Sequence, residues 1–145
     1  YVCFSVQEEV GLRGAKVLAQ RIMPDIAVAI ETTTCSDTAE KPFVTVLGKG
    51  PAVSVADGAS YSLNDLRALA LDISKKENIP VQIKTAASGG NDAGAFQRIG
   101  AKSFVISLPT RYIHSPSSAA SLEDFYNYKK LIKAFAERAD EIETF

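Results

Sequence analysis

The chain has 145 residues, which is enough for one domain with a sizeable core, and its 46% apolar and 23% charged content is typical of a globular protein. A net charge of −1 gives no electrostatic attraction to nucleic acid or to an anionic membrane, so we expect neither as a partner. No apolar run approaches the roughly 20 residues that a membrane-spanning helix needs.

The first segment changes from strand to helix at a pair of carboxylates. Apolar side chains alternate over residues 2–6 as in a strand, and they recur at helical spacing over residues 15–22. Glu8 and Glu9 lie at the junction. Successive residues of an extended chain point in opposite directions, so we expect the two carboxylates to have different roles. Because the chain lacks an initiator Met and begins inside this strand, we expect it to be a fragment of a longer protein.

Strands and helices then alternate along the chain. Further strands are predicted at residues 25–30, 43–47 (a short edge strand), 52–56, 81–84 and 103–108, with polar or irregular segments at 32–40 and 109–120. Further helices are predicted from an N-cap at Ser62 to Glu77, from Asn91 or Asp92 to Arg98, and after Ser121, with Phe125, Tyr128, Ile132, Phe135 and Ala139 on one face. The alternation indicates an α/β fold, a three-layer sandwich around a mainly parallel sheet.

The two cysteines form no disulfide or metal-binding pattern. We expect Cys3 to be a core thiol within the first strand and Cys35 to lie in a polar loop. Neither residue indicates an oxidising compartment, so we expect a cytoplasmic protein.

Two polar residues follow predicted buried strands. Glu31 comes directly after the strand at 25–30, and His114, the one histidine, lies in the loop after the strand at 103–108. Carboxyl ends of parallel strands form the ligand-binding edge of an α/β sheet, where Glu8 and Glu9 are also expected. Taken singly, a strand-end carboxylate or a loop histidine is more often a solvated side chain than a ligand.

A glycine-containing turn precedes the short third helix. Gly89 and Gly90 permit a close approach of the backbone, and Asn91 or Asp92 at the helix start leaves N–H donors free. A plain turn with an N-cap explains most of these residues without any function.

Four stretches resemble, in the same order, the family of tetrahedral, glutamyl and deblocking aminopeptidases. They are Gln-Glu-Glu-Val-Gly-Leu-Arg-Gly-Ala at 7–15, Ile-Glu-Thr-Thr-Thr at 30–34 with Asp-Thr at 37–38, Ser-Gly-Gly-Asn-Asp-Ala-Gly-Ala at 88–95, and Ser-Leu-Pro-Thr-Arg-Tyr-Ile-His-Ser-Pro at 107–116. The chain departs from the usual family pattern at Ala39, where a proline is common, and at Asn91, where a threonine is common. The resemblance covers nearly the whole chain.

The resemblance implies a site with two divalent metal ions, zinc or cobalt. It makes Glu8 the general base, Glu9 and His114 ligands of one ion, and Glu31 a ligand of the other. It also places a turn and a strand end beside the substrate, with candidate pocket residues Gly89, Gly90, Asn91, Asp92 and Arg111. In this family a bridging aspartate and a second histidine come from upstream sequence.

The implied function is removal of N-terminal residues from peptides by a metal-activated water. Residues 1–145 would be the C-terminal portion of one metallopeptidase catalytic domain of the zinc-peptidase-like phosphorylase/hydrolase type, truncated so that the upstream half and an inserted β-domain are absent. The intact protein would be a hydrolase that assembles into a large homo-oligomer, and we expect the fragment alone to be inactive because it lacks metal ligands.

Three alternatives stay open. A metal-dependent deacylase or carboxypeptidase could use the same fold and ligands. A glycosidase could use Glu8 and Glu31, since a carboxyl separation of roughly 5 to 9.5 Å is what such chemistry needs. A degenerate, non-catalytic assembly module is the third, although the complete set of candidate residues argues against it.

Overall fold

Five strands form one sheet in the described part of the chain. The structure is a computed structural model that describes residues 1–35, 45–85 and 89–142. The strands are β1 (Ile26–Thr34), β2 (Ala52–Ala56), β3 (Gln82–Thr85), β4 (Lys102–Arg111) and β5 (Ala119–Ala120). The sheet order is β1–β4–β2–β3, and β5 pairs with β4.

Helices cover both faces of the sheet. They are α1 (Arg13–Ile22), α2 (Asn64–Glu77), α3 (Ala93–Gln97) and α4 (Leu122–Glu137), followed by a 3-10 helix at Ala139–Glu141. The main core lies between the sheet and the α2–α4 pair, while α3 packs on the opposite face against Ala29 and Val105. This arrangement confirms the predicted α/β layers. Within the described residues, no helix is both long and apolar enough to cross a membrane.

Strand directions define the two edges of the sheet. The long β1–β4 ladder and the β2–β3 ladder are parallel, in line with the predicted mainly parallel sheet. β2 runs antiparallel to β4, with Ala52 opposite Ser107 and Val53 opposite Ile106, and β5 is also antiparallel to β4, so the sheet is mixed. The carboxyl ends of β1 and β4 therefore meet at one edge, whereas β2 and β3 end toward the other.

Aromatic packing and one buried carboxylate fix α4 against the sheet. The rings of Phe104 and Phe135 stack with their centroids 5.1 Å apart in the core. The Ser121 hydroxyl accepts a hydrogen bond from the Asp124 N–H at 3.3 Å, which confirms the predicted N-cap. The buried Asp124 carboxylate accepts the N–H groups of Gly48 and Gly50, each at 2.7 Å. These contacts make α4 a fixed element from which side chains can reach the sheet.

The predicted strand at residues 2–6 is wrong. The described structure shows no ladder between this segment and another strand, and Val2 and Phe4 are 88% and 92% exposed. Alternating apolar side chains form a strand only where the backbone pairs with another strand, and in the described structure residues 2–6 pair with none. The expectation that Cys3 is a core thiol was also wrong, because Cys3 is exposed, whereas Cys35 is buried directly after β1.

Both long strands continue beyond their predicted ends. Residues 32–34 and 109–111, predicted as loops, are strand, and Thr33 pairs with Pro109 in the β1–β4 ladder. Proline is tolerated there because β2 pairs with β4 only at Ile106 and Ser107, so the missing N–H removes no bond to β2. Of the predicted strand at 43–47, residues 45–47 are not strand and the remainder lies outside the described residues, as do Asp37, Thr38 and Ala39.

Two helix details differ from the sequence prediction. α2 begins at Asn64, and its N-cap residue is Leu63, which has an extended backbone, so Ser62 is not the cap. The Ser62 N–H donates to the Val55 carbonyl instead. On α4 the buried face includes Leu131 and Ala134, whereas Phe125 is 41% exposed. The inward face is therefore rotated from the one that the apolar periodicity predicted.

Candidate functional site

Glu8 and Glu9 lie in a turn at the start of α1. Gln7 has a left-handed backbone with φ 59°, and the Glu8 carbonyl accepts the N–H groups of Gly11 at 3.1 Å and Leu12 at 2.9 Å. The premise of an extended chain at this point was wrong. The two carboxylates still have different environments, since Glu8 is half-buried and Glu9 is exposed.

The backbone before this turn lies against the first turn of α1. The Gly14 N–H donates to the Val6 carbonyl at 2.9 Å, and a Cβ on Gly14 would lie 2.5 Å from the Val6 nitrogen. Only glycine permits this approach without moving the chain. Gly14 thereby positions the turn that carries both glutamates.

His114 meets Glu9 across a loop that follows β4. The His114 Nδ1 and Glu9 Oε1 atoms are 3.2 Å apart, although the two residues are far apart in sequence. Tyr112 and His114 both have left-handed backbones, with φ 58° and 61°, a conformation that costs energy for residues other than glycine. The Ser115 hydroxyl donates to the Ser117 carbonyl at 2.7 Å within this loop. The unfavourable backbone conformation therefore occurs at His114, the residue whose imidazole contacts the Glu9 carboxylate.

Glu31 points from β1 into the same region. Burial, then the negative charges of Glu8 and Asp92, raise its pKa to about 7, whereas the Asp92 N–H and the Lys84 ammonium lower it. A half-buried carboxyl with so few compensating partners is favourable for a cation, because a cation would hold it ionised. A metal ligand in a partly desolvated site is expected to show this combination of burial, nearby negative charge and raised pKa.

Glu8 shares this electrostatic environment. Burial raises the pKa of its carboxyl, and the charges of Glu9 and Asp92 raise it further, while His114 opposes them. A carboxylate with a raised pKa accepts a proton more readily than an exposed glutamate does. The structure therefore brings Glu8, Glu9, Glu31 and His114 to the edge where β1 and β4 end.

Asp92 lies at the start of α3 beside the glutamates. The Ser5 hydroxyl donates to its Oδ2 atom, and its Oδ1 atom is buried without a hydrogen-bond partner among the described residues. Its neighbour Asn91 is buried. The Asn91 side-chain NH2 group donates to the Asp57 carboxylate, and its side-chain oxygen accepts a hydrogen bond from the Ala93 N–H at 2.9 Å. Asn91 thus holds the turn, and Asp92 presents a free oxygen.

The remaining predicted pocket residues are less enclosed. Gly89 and Gly90 are exposed, and Gly89 has φ 82°. A Cβ on Gly90 would lie 2.9 Å from the Ala59 side chain, so glycine is needed for the close approach. Arg111 is half-buried at the end of β4.

A cavity of about 800 Å³ lies between residues 1–5 and β1; Glu8, Glu9, Glu31 and Asp92 are among the residues that line it, and His114 is not. Carboxylate and imidazole donors suit zinc and similar divalent ions. The donor types therefore fit a metal site. In the described ranges, however, no three His, Cys, Asp or Glu side chains are gathered closely enough to hold an ion as they stand.

Two residues near the site were not identified from the sequence. Lys84 on β3 is paired in register with Ser54, which places it on the same sheet face as Glu31, and burial lowers its pKa. Tyr128 on α4 donates to the Glu31 carbonyl at 2.9 Å. Periodicity placed Tyr128 on the inner helix face but gave no sign of its polar partner.

Comparison with known proteins identifies what the chain is similar to. The sequence model of the family described as M42 glutamyl aminopeptidase matches residues 1–131. A lysyl aminopeptidase of Pyrococcus furiosus is 38% identical over 141 residues, which cover 94% of this chain and 40% of that protein. The chain thus spans about 40% of the length of the curated relatives it matches.

Solved structures agree in fold. Aminopeptidase APDkam598 from the archaeon Desulfurococcus kamchatkensis superposes with a TM-score of 0.88 at 38% identity, over 92% of this chain and 40% of that one. The TET1 peptidase of Pyrococcus horikoshii, described as able to assemble into a tetrahedron or a large octahedral shell, has a TM-score of 0.79 at 38% identity over 92% of this chain and 39% of its own. The α/β fold is therefore shared along nearly the whole chain.

Proposed function

Because the chain belongs to the M42 glutamyl aminopeptidase family, we propose that the protein containing it is a metal-dependent aminopeptidase that removes N-terminal residues from peptides. The observation that carries this proposal is the contact of Glu9 with His114 at 3.2 Å, beside Glu8 and Glu31. Two segments remote in sequence are folded so that an imidazole and a carboxylate share one point at the ligand-binding edge of the sheet.

The chain is proposed to be the C-terminal portion of the catalytic domain. Its coverage of about 40% of its relatives supports this view, as does a site that holds only part of a dimetal ligand set. A cocatalytic pair needs about three protein ligands for each ion. The upstream half would supply the missing donors, so residues 1–145 alone should be inactive.

Glu9 and His114 would hold one divalent ion, and Glu31 would hold the second; zinc and cobalt suit these donors. When bound, such ions polarise the scissile carbonyl and lower the pKa of the attacking water. Glu9 and Glu31 line the cavity, and His114 reaches this region through its contact with Glu9 at 3.2 Å. The protein thus supplies fixed ligands at an edge that β1 and β4 both reach.

Glu8 is proposed as the general base. Its carboxylate would take a proton from the attacking water and return it to the amine that leaves as the peptide C–N bond breaks. The raised pKa of Glu8 makes its carboxylate a stronger base for the first transfer, and the protonated carboxyl is then the proton donor for the second. Glu9 is exposed and in contact with His114, so it is not suited to the same role.

The turn before α3 is proposed to bind the substrate. The unpartnered Oδ1 atom of Asp92 can accept a hydrogen bond from the free amino group of a peptide. Gly89, Gly90, Asn91 and Arg111 are proposed as further substrate-binding residues, although they do not line the cavity described above. Recognition of a free amine would restrict the enzyme to chain ends.

A large homo-oligomer in the cytoplasm is proposed for the intact protein. The likeness to a peptidase that forms tetrahedral or octahedral shells supports the assembly. Cys3 and Cys35 are not joined by a disulfide, which is in keeping with a reducing compartment.

A contrast between two variants of the full-length protein tests these roles. Glu8→Gln keeps the shape of the side chain but removes the base, so turnover of aminoacyl substrates should fall by about 10² to 10⁴-fold with metal content unchanged. His114→Ala deletes a ligand and should lower the metal content itself. Metal is measured by elemental analysis after dialysis, and turnover with aminoacyl p-nitroanilides.

Loss of metal from the Glu8→Gln protein, beside full metal content and activity in the His114→Ala protein, would reverse the assignment. The loop that carries His114 would then have a structural role only. A full-length protein that hydrolyses acyl-blocked peptides as fast as free N-termini would contradict the aminopeptidase proposal and favour the deacylase alternative.

A further inference from the structure

We infer that Tyr128 is a positioning residue for Glu31, acting through a hydrogen bond from its hydroxyl to the Glu31 carbonyl. The donor and acceptor are 2.9 Å apart and join two residues separated by 97 positions in the sequence. The inference rests on the proposed function, because it assigns Tyr128 to the geometry of a candidate metal ligand.

The two side chains lie on opposite faces of the sheet. Tyr128 belongs to the core cluster beneath the sheet, together with Ile106 and Leu108, and is 8% exposed. Glu31 is two residues beyond Ala29, which packs on the other face against α3, so its carboxylate points away from that core. Tyr128 therefore holds the backbone of Glu31 from behind while the carboxylate faces the cavity.

The bond from Tyr128 adds to the pairing of β1 with β4 at Glu31. Among the described residues β1 pairs only with β4, so its backbone is held by a strand on one side alone. The Tyr128 hydroxyl adds a bond from a helix. Burial and the nearby Glu31 charge raise the pKa of Tyr128, so the hydroxyl keeps the proton that it donates.

The helix that carries Tyr128 is itself fixed. Asp124, one turn earlier, binds the N–H groups of Gly48 and Gly50, and Phe135 stacks on Phe104 two turns later. Because these contacts hold α4 before and after Tyr128, the Tyr128 hydroxyl fixes the position and rotation of the Glu31 peptide. A small rotation of that peptide would move the carboxylate and change its fit to a metal ion.

A purely structural role is the opposing explanation. A core tyrosine needs some partner for its hydroxyl, and any nearby carbonyl would satisfy it. In that case loss of the hydroxyl would lower the stability of the protein and leave metal binding unchanged. Metal affinity therefore separates the two explanations, because it is not expected to follow a change in core stability.

The experiment compares Tyr128→Phe with Tyr126→Phe in the full-length protein. Tyr126 is on the same helix, is 54% exposed, and has no hydrogen bond from its hydroxyl in the part of the chain that the structure describes, so it is a matched control. Affinity for Co²⁺ is measured by titration of the metal-free protein against a competing chelator. Thermal unfolding of the metal-free protein reports folding separately.

We expect Co²⁺ affinity to fall by about tenfold in Tyr128→Phe, at the low end of the range for residues that orient metal ligands, and to stay unchanged in Tyr126→Phe. In a Glu31→Gln background the effect of Tyr128→Phe should largely disappear, since the two changes act on one ligand. Affinity within about twofold of the control would overturn the inference, as would an equal loss in both backgrounds.

The outcomes also separate this inference from the proposed function. Wild-type protein that binds no divalent ion would overturn both. Wild-type protein that binds Co²⁺ and hydrolyses aminoacyl substrates, beside a Tyr128→Phe protein with unchanged affinity, would overturn the inference alone.

Discussion

Replacing Glu31 with glutamine should stabilise the metal-free protein at alkaline pH. The pKa of Glu31 is raised from its ordinary value of 4.5 to about 7, chiefly by burial and then by Glu8 and Asp92. The folded protein therefore binds the Glu31 proton more tightly than the unfolded chain does. Stability from this group is fully present below pH 4.5 and is lost as the pH rises toward 7.

The size of the effect follows from the pKa. A carboxyl whose pKa moves this far destabilises the folded state on ionisation by at most about 3 kcal/mol. Because the side chain keeps contact with solvent, screening reduces the expected value to about 1–2 kcal/mol. Glutamine has the same shape and no charge, so Glu31→Gln should match the wild type near pH 4.5 and exceed it by about this amount at pH 8.

The assay is denaturant unfolding of the full-length protein in excess chelator, at a series of pH values. Glu77→Gln is the control, because Glu77 is an exposed residue at the end of α2. The reasoning is refuted if Glu31→Gln is no more stable than the wild type at pH 8. Added Co²⁺ should reverse the order, since the wild-type carboxylate gains a partner that the amide cannot hold as well.

Three further changes test neighbouring parts of the site. Lys84→Met removes a charge that lowers the pKa of Glu31, so the midpoint of Co²⁺ binding against pH should move upward; a downward movement would contradict this. His114→Ala should weaken Co²⁺ binding in a chelator competition without lowering the stability of the metal-free protein, and an unchanged affinity would remove it from the ligand set. Asp124→Asn replaces one of the two oxygens that accept the loop N–H groups with an NH2 group. The free energy of unfolding, measured with denaturant, should therefore fall by about 1–3 kcal/mol, and an unchanged value would mean that the loop finds other partners.

Much of the candidate site follows from one rule of α/β proteins. Glu31 and His114 each follow a strand predicted to be buried, and parallel neighbours bring their carboxyl ends to one edge. β1 and β4 are indeed parallel and adjacent, which explains why the predicted proximity of Glu9 and His114 holds in the structure. Rules based on strand direction are effective where the relevant strands are neighbours.

The same rule does not foresee how the other strands are arranged. The antiparallel pairing of β2 with β4 depends on contacts remote in sequence, and local patterns carry no information about it. It directs β3 toward the opposite edge of the sheet, yet Lys84 still lowers the pKa of Glu31, and Asp92 lies beside the glutamates at the start of α3, which packs on Ala29. The strand prediction at residues 2–6 is wrong for a related reason, since alternating apolar side chains do not specify which strand, if any, the segment pairs with.

The electrostatics of the site connect its separate parts. Burial and the charges of Glu8 and Asp92 raise the pKa of Glu31, and burial and the charges of Glu9 and Asp92 raise the pKa of Glu8; Lys84 and His114 only partly oppose these effects. Such a group of like charges opposes folding unless a cation is supplied. Divalent ions would remove that cost and leave Glu8, which the proposal does not use as a ligand, free to accept a proton. The charge excess that weakens the metal-free protein is thus the same property that would give the intact enzyme its affinity for metal.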